Sequence, residues 1–230
     1  MQHEASTVRR GDHVDYLAPD STIPTTIGYW SALTATAIGV VYGAVVGFLT
    51  AVGKLTLPPP EWVQLFAALV TIGEGPLLVA ALAAVHYVVP AERRIFSLLG
   101  VLFATTFMVM VSINRFVQLA VVRISVSHGD TSGLARFMPY APQSAMLALE
   151  MVGWGFFLGL ALLSTAFAMT GTRIERAVRW TFLVYAVLGI GSTVAFVADS
   201  PLSAIGFVAW GLILPIGTGL LAVWFRGKRT

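Results

Sequence analysis

Six long apolar stretches dominate the sequence and leave few folds open to it. They cover residues 27–52, 62–89, 95–122, 144–169, 177–198 and 202–225. Each exceeds the roughly 20 residues that cross about 30 Å of hydrocarbon as a helix. A water-soluble domain carries about 25% charged residues, whereas only 11% of this chain is charged. The sequence therefore predicts an all-α, polytopic membrane protein with six transmembrane helices, in contact with the lipid bilayer.

The basic residues predict how the six spans are oriented. If the N-terminus lies inside, the inner segments contain ten Arg and Lys residues and the outer segments contain three. The inner residues are Arg9, Arg10, Arg93, Arg94, Arg173, Arg176, Arg179, Arg226, Lys228 and Arg229, and the outer residues are Lys54, Arg123 and Arg136. Because basic residues collect in cytoplasmic loops, we expect a cell-membrane protein with both termini in the cytoplasm. Residues 1–26 then form a polar cytoplasmic tail, and residues 226–230 form a basic one.

The connections between spans are mostly short, which predicts that neighbouring helices pack antiparallel. The longest connection covers residues 123–143, on the predicted outer side. Its second half mixes apolar and aromatic residues with a single charge, a composition typical of a segment at the membrane interface. The same segment could fold over the helices as a lid.

Charged and amide side chains inside three of the apolar stretches are the main candidates for function. The third stretch contains Asn114, Arg115 and Gln118, the fourth contains Glu150 and the second contains Glu74. Such groups are costly in hydrocarbon unless partners face them. Arg115 and Glu150 lie at similar predicted depths, and Glu74 lies somewhat deeper. Since arginine can hold two carboxylates with its fork of donors, we expect Arg115 to meet both acids.

These five residues are candidates for ligand binding or proton coupling. One arginine against two glutamates leaves an excess negative charge, so one acid could exchange a proton or help to bind a cation. The leading hypothesis is a protein that binds or transports a small solute or a proton at a polar site between spans two, three and four, opening outward. The alternative is a structural or interaction protein whose buried charges only fix helix packing. Besides a solute, a lipid would be a suitable ligand for such a site.

Small residues predict where helices approach closely or bend. The predicted packing faces consist of Gly39, Gly43 and Gly47 in the first span and Gly155 and Gly159 in the fourth. Glycines four residues apart line one helix face and admit a neighbouring backbone, within one chain or between two copies in a homo-oligomer. Gly75 and Pro76 follow Glu74 directly, and the missing N–H of proline predicts a kink beside this acid.

The sequence gives little support to catalysis, cofactors or metals. It contains no cysteine, which excludes disulfides and thiolate metal ligands. No pair of histidines has metal-ligand spacing, and Ser127, His128 and Asp130 lie too close together for a hydrolase triad. The net charge of +3 follows from topology, so no nucleic-acid partner is expected. We therefore predict no catalytic residues, no metal and no cofactor, and an intramembrane enzyme ranks third among the hypotheses.

Overall fold

The computed structural model describes residues 22–56, 59–138, 141 and 144–229. This part of the chain is helical and contains no strand. It has six helices that are long and apolar enough to cross a membrane, which confirms the predicted fold class. They are α1 (Thr22–Ala51), α2 (Glu61–Val88), α3 (Ala91–Ser127), α4 (Ala145–Ala168), α5 (Arg173–Val197) and α6 (Pro201–Arg226).

Two helix ends differ from the predicted ones. Helix α1 begins at Thr22, so residues 22–26, assigned above to the polar tail, are helical. Helix α3 continues to Ser127, so the start of the predicted outer loop is helical as well. Both helices extend beyond the apolar stretches assigned from the sequence, because a helix does not need a continuous apolar surface once it leaves hydrocarbon. The predicted tail over residues 1–21 lies outside the described residues.

The six helices form a closed ring in chain order. Each helix packs against the next, and α6 returns to pack against α1. Aromatic side chains fill the middle: Phe107 meets Trp154 edge to face at 4.8 Å, and Trp154 lies 6.1 Å from Trp210 between ring centroids. Tyr185 of α5 is fully buried and donates a hydrogen bond to the Trp154 carbonyl at 2.9 Å. The bundle interior is therefore packed with side chains rather than open as a pore.

Large apolar side chains cover the outside of the ring. Val187 of α5 is 71% exposed and Phe116 of α3 is 66% exposed. Continuous apolar surface of this kind is not tolerated on a water-soluble monomer and is expected where lipid replaces water.

The residues at the predicted inner end contact one another. Arg93, in the first turn of α3, donates to the Phe167 carbonyl near the end of α4 at 3.0 Å. Arg229, which follows α6, lies over the ring of Tyr29 in α1 at 5.0 Å. Glu175 in the first turn of α5 accepts a hydrogen bond from the indole of Trp224 at 2.9 Å. The starts of α1, α3 and α5 and the ends of α4 and α6 thus meet at one basic end of the bundle.

Three segments of π-helix interrupt the spans, and the apolar pattern of the sequence does not predict them. They are Gln118–Val122 in α3, Met151–Phe157 in α4 and Ala209–Ile213 in α6. A π-helix widens the turn and displaces backbone carbonyls from their usual partners. In α4 two such carbonyls accept side-chain donors from α5: Thr193 bonds to Met151 at 2.8 Å and Tyr185 bonds to Trp154.

The predicted glycine faces have different surroundings in the structure. A methyl group at Gly155 would meet Thr193 and the Gly189 carbonyl of α5, and one at Gly159 would lie 2.8 Å from Ile190. At Gly39 it would lie 2.7 Å from Pro215 of α6, whereas at Gly43 the nearest atom is 3.6 Å away and at Gly47 nothing lies within 4 Å. The α4 face therefore admits α5 closely, and the α1 face closes against α6 at one end only.

Candidate functional site

A buried ion pair joins α3 to α4. The Nη2 atom of Arg115 contacts Oε1 of Glu150, and the two residues are only 5% and 7% exposed. The predicted meeting of these two residues is therefore found. Since both charged groups are almost completely buried, each depends on the other for its stability in the bundle.

Two carboxamides extend the ion pair into a longer hydrogen-bonded chain, the polar network. Arg115 Nη1 donates to Gln118 Oε1 at 2.9 Å, and Gln118 Nε2 donates to Asn114 Oδ1 at 3.1 Å. Asn114 Nδ2 donates in turn to the Met146 carbonyl of α4 at 3.1 Å. The spacing of three and four residues places these side chains on one face of α3. The network thus begins and ends on α4, and Arg115 Nε is left without a hydrogen-bond partner among the described residues.

Two members of the polar network, Glu150 and Gln118, lie at the start of π-helical segments. Glu150 immediately precedes the segment in α4, and Gln118 begins the segment in α3. Segments of this kind are frequent at functional sites because they turn side chains away from their regular helical positions. Sequence reasoning missed them because one extra residue in a turn leaves the apolar character of a span unchanged.

Glu74 does not join the polar network. It is 5% exposed, and it makes no ion pair or hydrogen bond within the part of the chain that the structure describes. The expected bridge from Arg115 to both acids is found for Glu150 only. The reason is depth: a methyl group at Gly75, the next residue, would lie 3.1 Å from Met108 of α3. Met108 and Arg115 are separated by about 10 Å along the helix axis.

A pocket of about 210 Å³ lies between α2 and α3, next to the network. Its lining comprises Glu61, Gln64, Leu65, Ala68, Gln118, Leu119, Val122, Arg123, Val126, Ser127 and Met138. Gln118 is the one lining residue that also belongs to the polar network. Met138 comes from the long connection between α3 and α4. Glu61 and Arg123 form no ion pair with described residues.

The described residues contain no group of three or more His, Asp or Glu side chains that could hold a metal ion. Ser127 and Asp130 take part in local backbone contacts, since Ser127 donates to the Ile124 carbonyl and Asp130 accepts from the Ser132 N–H. These contacts belong to the end of α3 and the turn after it, where such side chains commonly bond to the backbone.

The fold and the site together define a class: a multi-pass, six-helix membrane protein with a charged network buried between two of its helices. No family model, no curated protein and no solved structure matches the chain. Function must therefore be argued from the geometry of the site alone.

Proposed function

We propose that this protein binds a small polar solute in the pocket between α2 and α3, as a binding or transport protein of the cell membrane. The proposal depends on one observation, which is that Gln118 belongs both to the pocket wall and to the polar network. Its side chain lines the pocket and is also hydrogen-bonded to Arg115 and Asn114. A solute in the pocket would therefore contact the network that links α3 to α4.

The chemistry of Gln118 suits this role. A glutamine carboxamide has two N–H donors and an oxygen with two lone pairs. The network uses one donor and one lone pair, so one of each remains for a ligand. Apolar side chains, including Leu65, Ala68 and Leu119, form most of the remaining wall. Since the pocket is smaller than the roughly 300–1,000 Å³ of drug-sized sites, the ligand is a small one.

The orientation is part of the proposal. The excess of basic residues at the other end of the bundle favours the cytoplasm on that side. Both termini then lie in the cytoplasm, and the pocket opens to the outside. Glu61 and Arg123 line the pocket and would give an approaching solute its first charged contacts.

Water access to the pocket can be tested directly, because the chain contains no cysteine and any introduced thiol is the only one present. We would replace Leu65 and Leu119, which line the pocket, with cysteine and add a charged, membrane-impermeant thiosulfonate to intact cells. The matched controls are Leu69→Cys and Val121→Cys, on the same helices at 58% and 48% exposed positions outside the pocket lining.

Reaction at Leu65→Cys and Leu119→Cys, without reaction at the two controls, is the expected result, since a thiol in lipid does not ionise and is unreactive. Equal reactivity of all four thiols would contradict a defined pocket. Reaction only when the reagent reaches the cytoplasmic face would contradict the orientation and leave the pocket intact. A solute that binds in the pocket should slow the reaction of the thiosulfonate with the Leu119→Cys thiol.

The second candidate is a structural role for the ion pair, and its burial favours that role. Arg115 and Glu150 are almost completely removed from water, and they connect two adjacent helices. The two candidates are compatible if the ion pair holds the helices while Gln118 meets the ligand. They separate experimentally, because a purely structural network predicts no solute effect on the labelling of Leu119→Cys.

A further inference from the structure

We propose that Glu74 is a proton-exchanging site in the interior of the bundle, separate from the solute pocket. Glu74 does not line that pocket, so this site stands whether or not a solute binds there. Its ligand is a proton, carried on a carboxyl oxygen and exchanged with water without any other chemical change.

The first argument is the burial of an acid that has no partner. Glu74 is 5% exposed, and no described side chain or backbone group forms an ion pair or hydrogen bond with it. A lone carboxylate in an apolar interior costs far more than a neutral acid does. The neutral form is therefore the one that these surroundings tolerate, and ionisation requires water or another group to reach the side chain.

The second argument is the absence of a compensating cation on the neighbouring helices. Helix α2 packs against α1 and α3. Helix α1 carries no Asp, Glu, Lys or Arg, and its nearest titratable side chain in the middle of the span is Tyr42. The charged residue of mid-α3 is Arg115, which is paired with Glu150. On the opposite side of the ring, Tyr185 of α5 is buried in the bundle interior, and its hydroxyl already donates to the Trp154 carbonyl.

The third argument concerns the backbone beside the acid. Pro76 has no N–H, so it removes the hydrogen bond that the Ile72 carbonyl would otherwise accept. Helix α2 nevertheless continues through this position. An unpaired acid and a weakened helical turn thus occur together, which is where a membrane helix can flex and admit water to a buried group. The described residues contain no group of three or more His, Asp or Glu side chains around Glu74 that could bind a metal ion.

Infrared spectroscopy of the purified full-length protein in lipid tests the proposal without requiring a reagent to reach the site. A protonated carboxyl absorbs at a C=O frequency distinct from that of a carboxylate. We expect such a band in the wild type, a decrease as the pH is raised, and a shift to lower frequency in D₂O, because the proton exchanges. The band should be lost in Glu74→Gln and retained in Glu150→Gln, the matched control at an equally buried acid.

Each outcome decides the proposal. A wild type without the acid band, or a band that survives in Glu74→Gln, would overturn it because the proton would be absent or held elsewhere. A band that responds neither to pH nor to D₂O would overturn exchange. If Glu74→Gln does not fold, Glu74→Asp is measured in its place. The proposal then requires that the acid C=O band has a different frequency from that of the wild type, and an unchanged band would overturn it. None of these results depends on the cysteine labelling of the pocket.

Discussion

Glu74 and Glu150 are buried to a similar degree but have different surroundings. Glu150 is 7% exposed and ion-paired with Arg115, and Glu74 is 5% exposed and unpaired among the described residues. The difference teaches that burial in a membrane helix does not by itself assign a role to an acid. A paired acid holds two helices together, whereas an unpaired acid contributes no such link and is free to exchange its proton.

The largest expected effect is on the paired acid. Glu150→Gln leaves a guanidinium that cannot lose its proton, buried without a counter-charge. We expect a loss of about 3–5 kcal/mol in the free energy of unfolding, measured by denaturant titration in detergent. Arg115→Met should cost less, because the carboxyl that remains can become neutral. If both variants lose the same free energy of unfolding, the buried arginine is not the group that requires a counter-charge.

A smaller effect is expected where helices meet through glycine. Gly155→Ala places a methyl group against Thr193 and against the Gly189 carbonyl at 2.6 Å, so a loss of about 1–3 kcal/mol should follow. Gly47→Ala, the matched control on α1, meets nothing within 4 Å and should be neutral or slightly stabilising. Thermal unfolding of both variants in one detergent is the measurement. A destabilised Gly47→Ala would reveal that this face packs against a second copy.

The carboxamide that joins the pocket to the network should have an intermediate effect. Gln118→Leu removes the acceptor for Arg115 and the donor for Asn114, with a cost of roughly 1–2 kcal/mol in the free energy of unfolding. The same change should abolish any slowing of Leu119→Cys labelling by a bound solute. Persistence of that slowing would mean that the solute does not contact Gln118.

The smallest effect belongs to the unpaired acid. Glu74→Gln removes no ion pair or hydrogen bond within the described part of the chain, so the free energy of unfolding should change by roughly 0.5 kcal/mol or less. Denaturant titration beside Glu150→Gln checks this. A loss as large as that of Glu150→Gln would imply that Glu74 holds a partner and has a structural role.

The sequence predicted the helices well and the site in part. Apolar stretches longer than a bilayer crossing determine six spans almost alone, because lipid admits few other folds for them. The pairing of Arg115 with Glu150 also followed from depth counted along the chain. The position of Glu74 could not be predicted in this way. Glu74 lies about 10 Å from Arg115 along the axis of α3, and that distance depends on how far α2 is shifted relative to α3. Short connections between helices do not specify such a shift.

Other features left no usable mark in the sequence. The π-helical segments beside Gln118 and Glu150 change the hydrogen-bond pattern but not the composition of the spans. The pocket depends on side chains from the start of α2, the end of α3 and Met138 of the connection between α3 and α4. No pattern along one segment predicts that residues so far apart will share a cavity. Helix α6 likewise packs closely against α1 at Gly39 and not at Gly47, and the sequence of α1 alone does not predict where α6 lies.

The most direct test of the difference between the two acids is a pair of double-mutant cycles that share Arg115→Met. One cycle combines it with Glu150→Gln and the other with Glu74→Gln, and the free energy of unfolding is measured for every variant. Strong coupling in the first cycle, about 2–3 kcal/mol, and coupling below about 0.5 kcal/mol in the second are the predicted results. Comparable coupling in both cycles would contradict the account, because Arg115 would then interact with both acids.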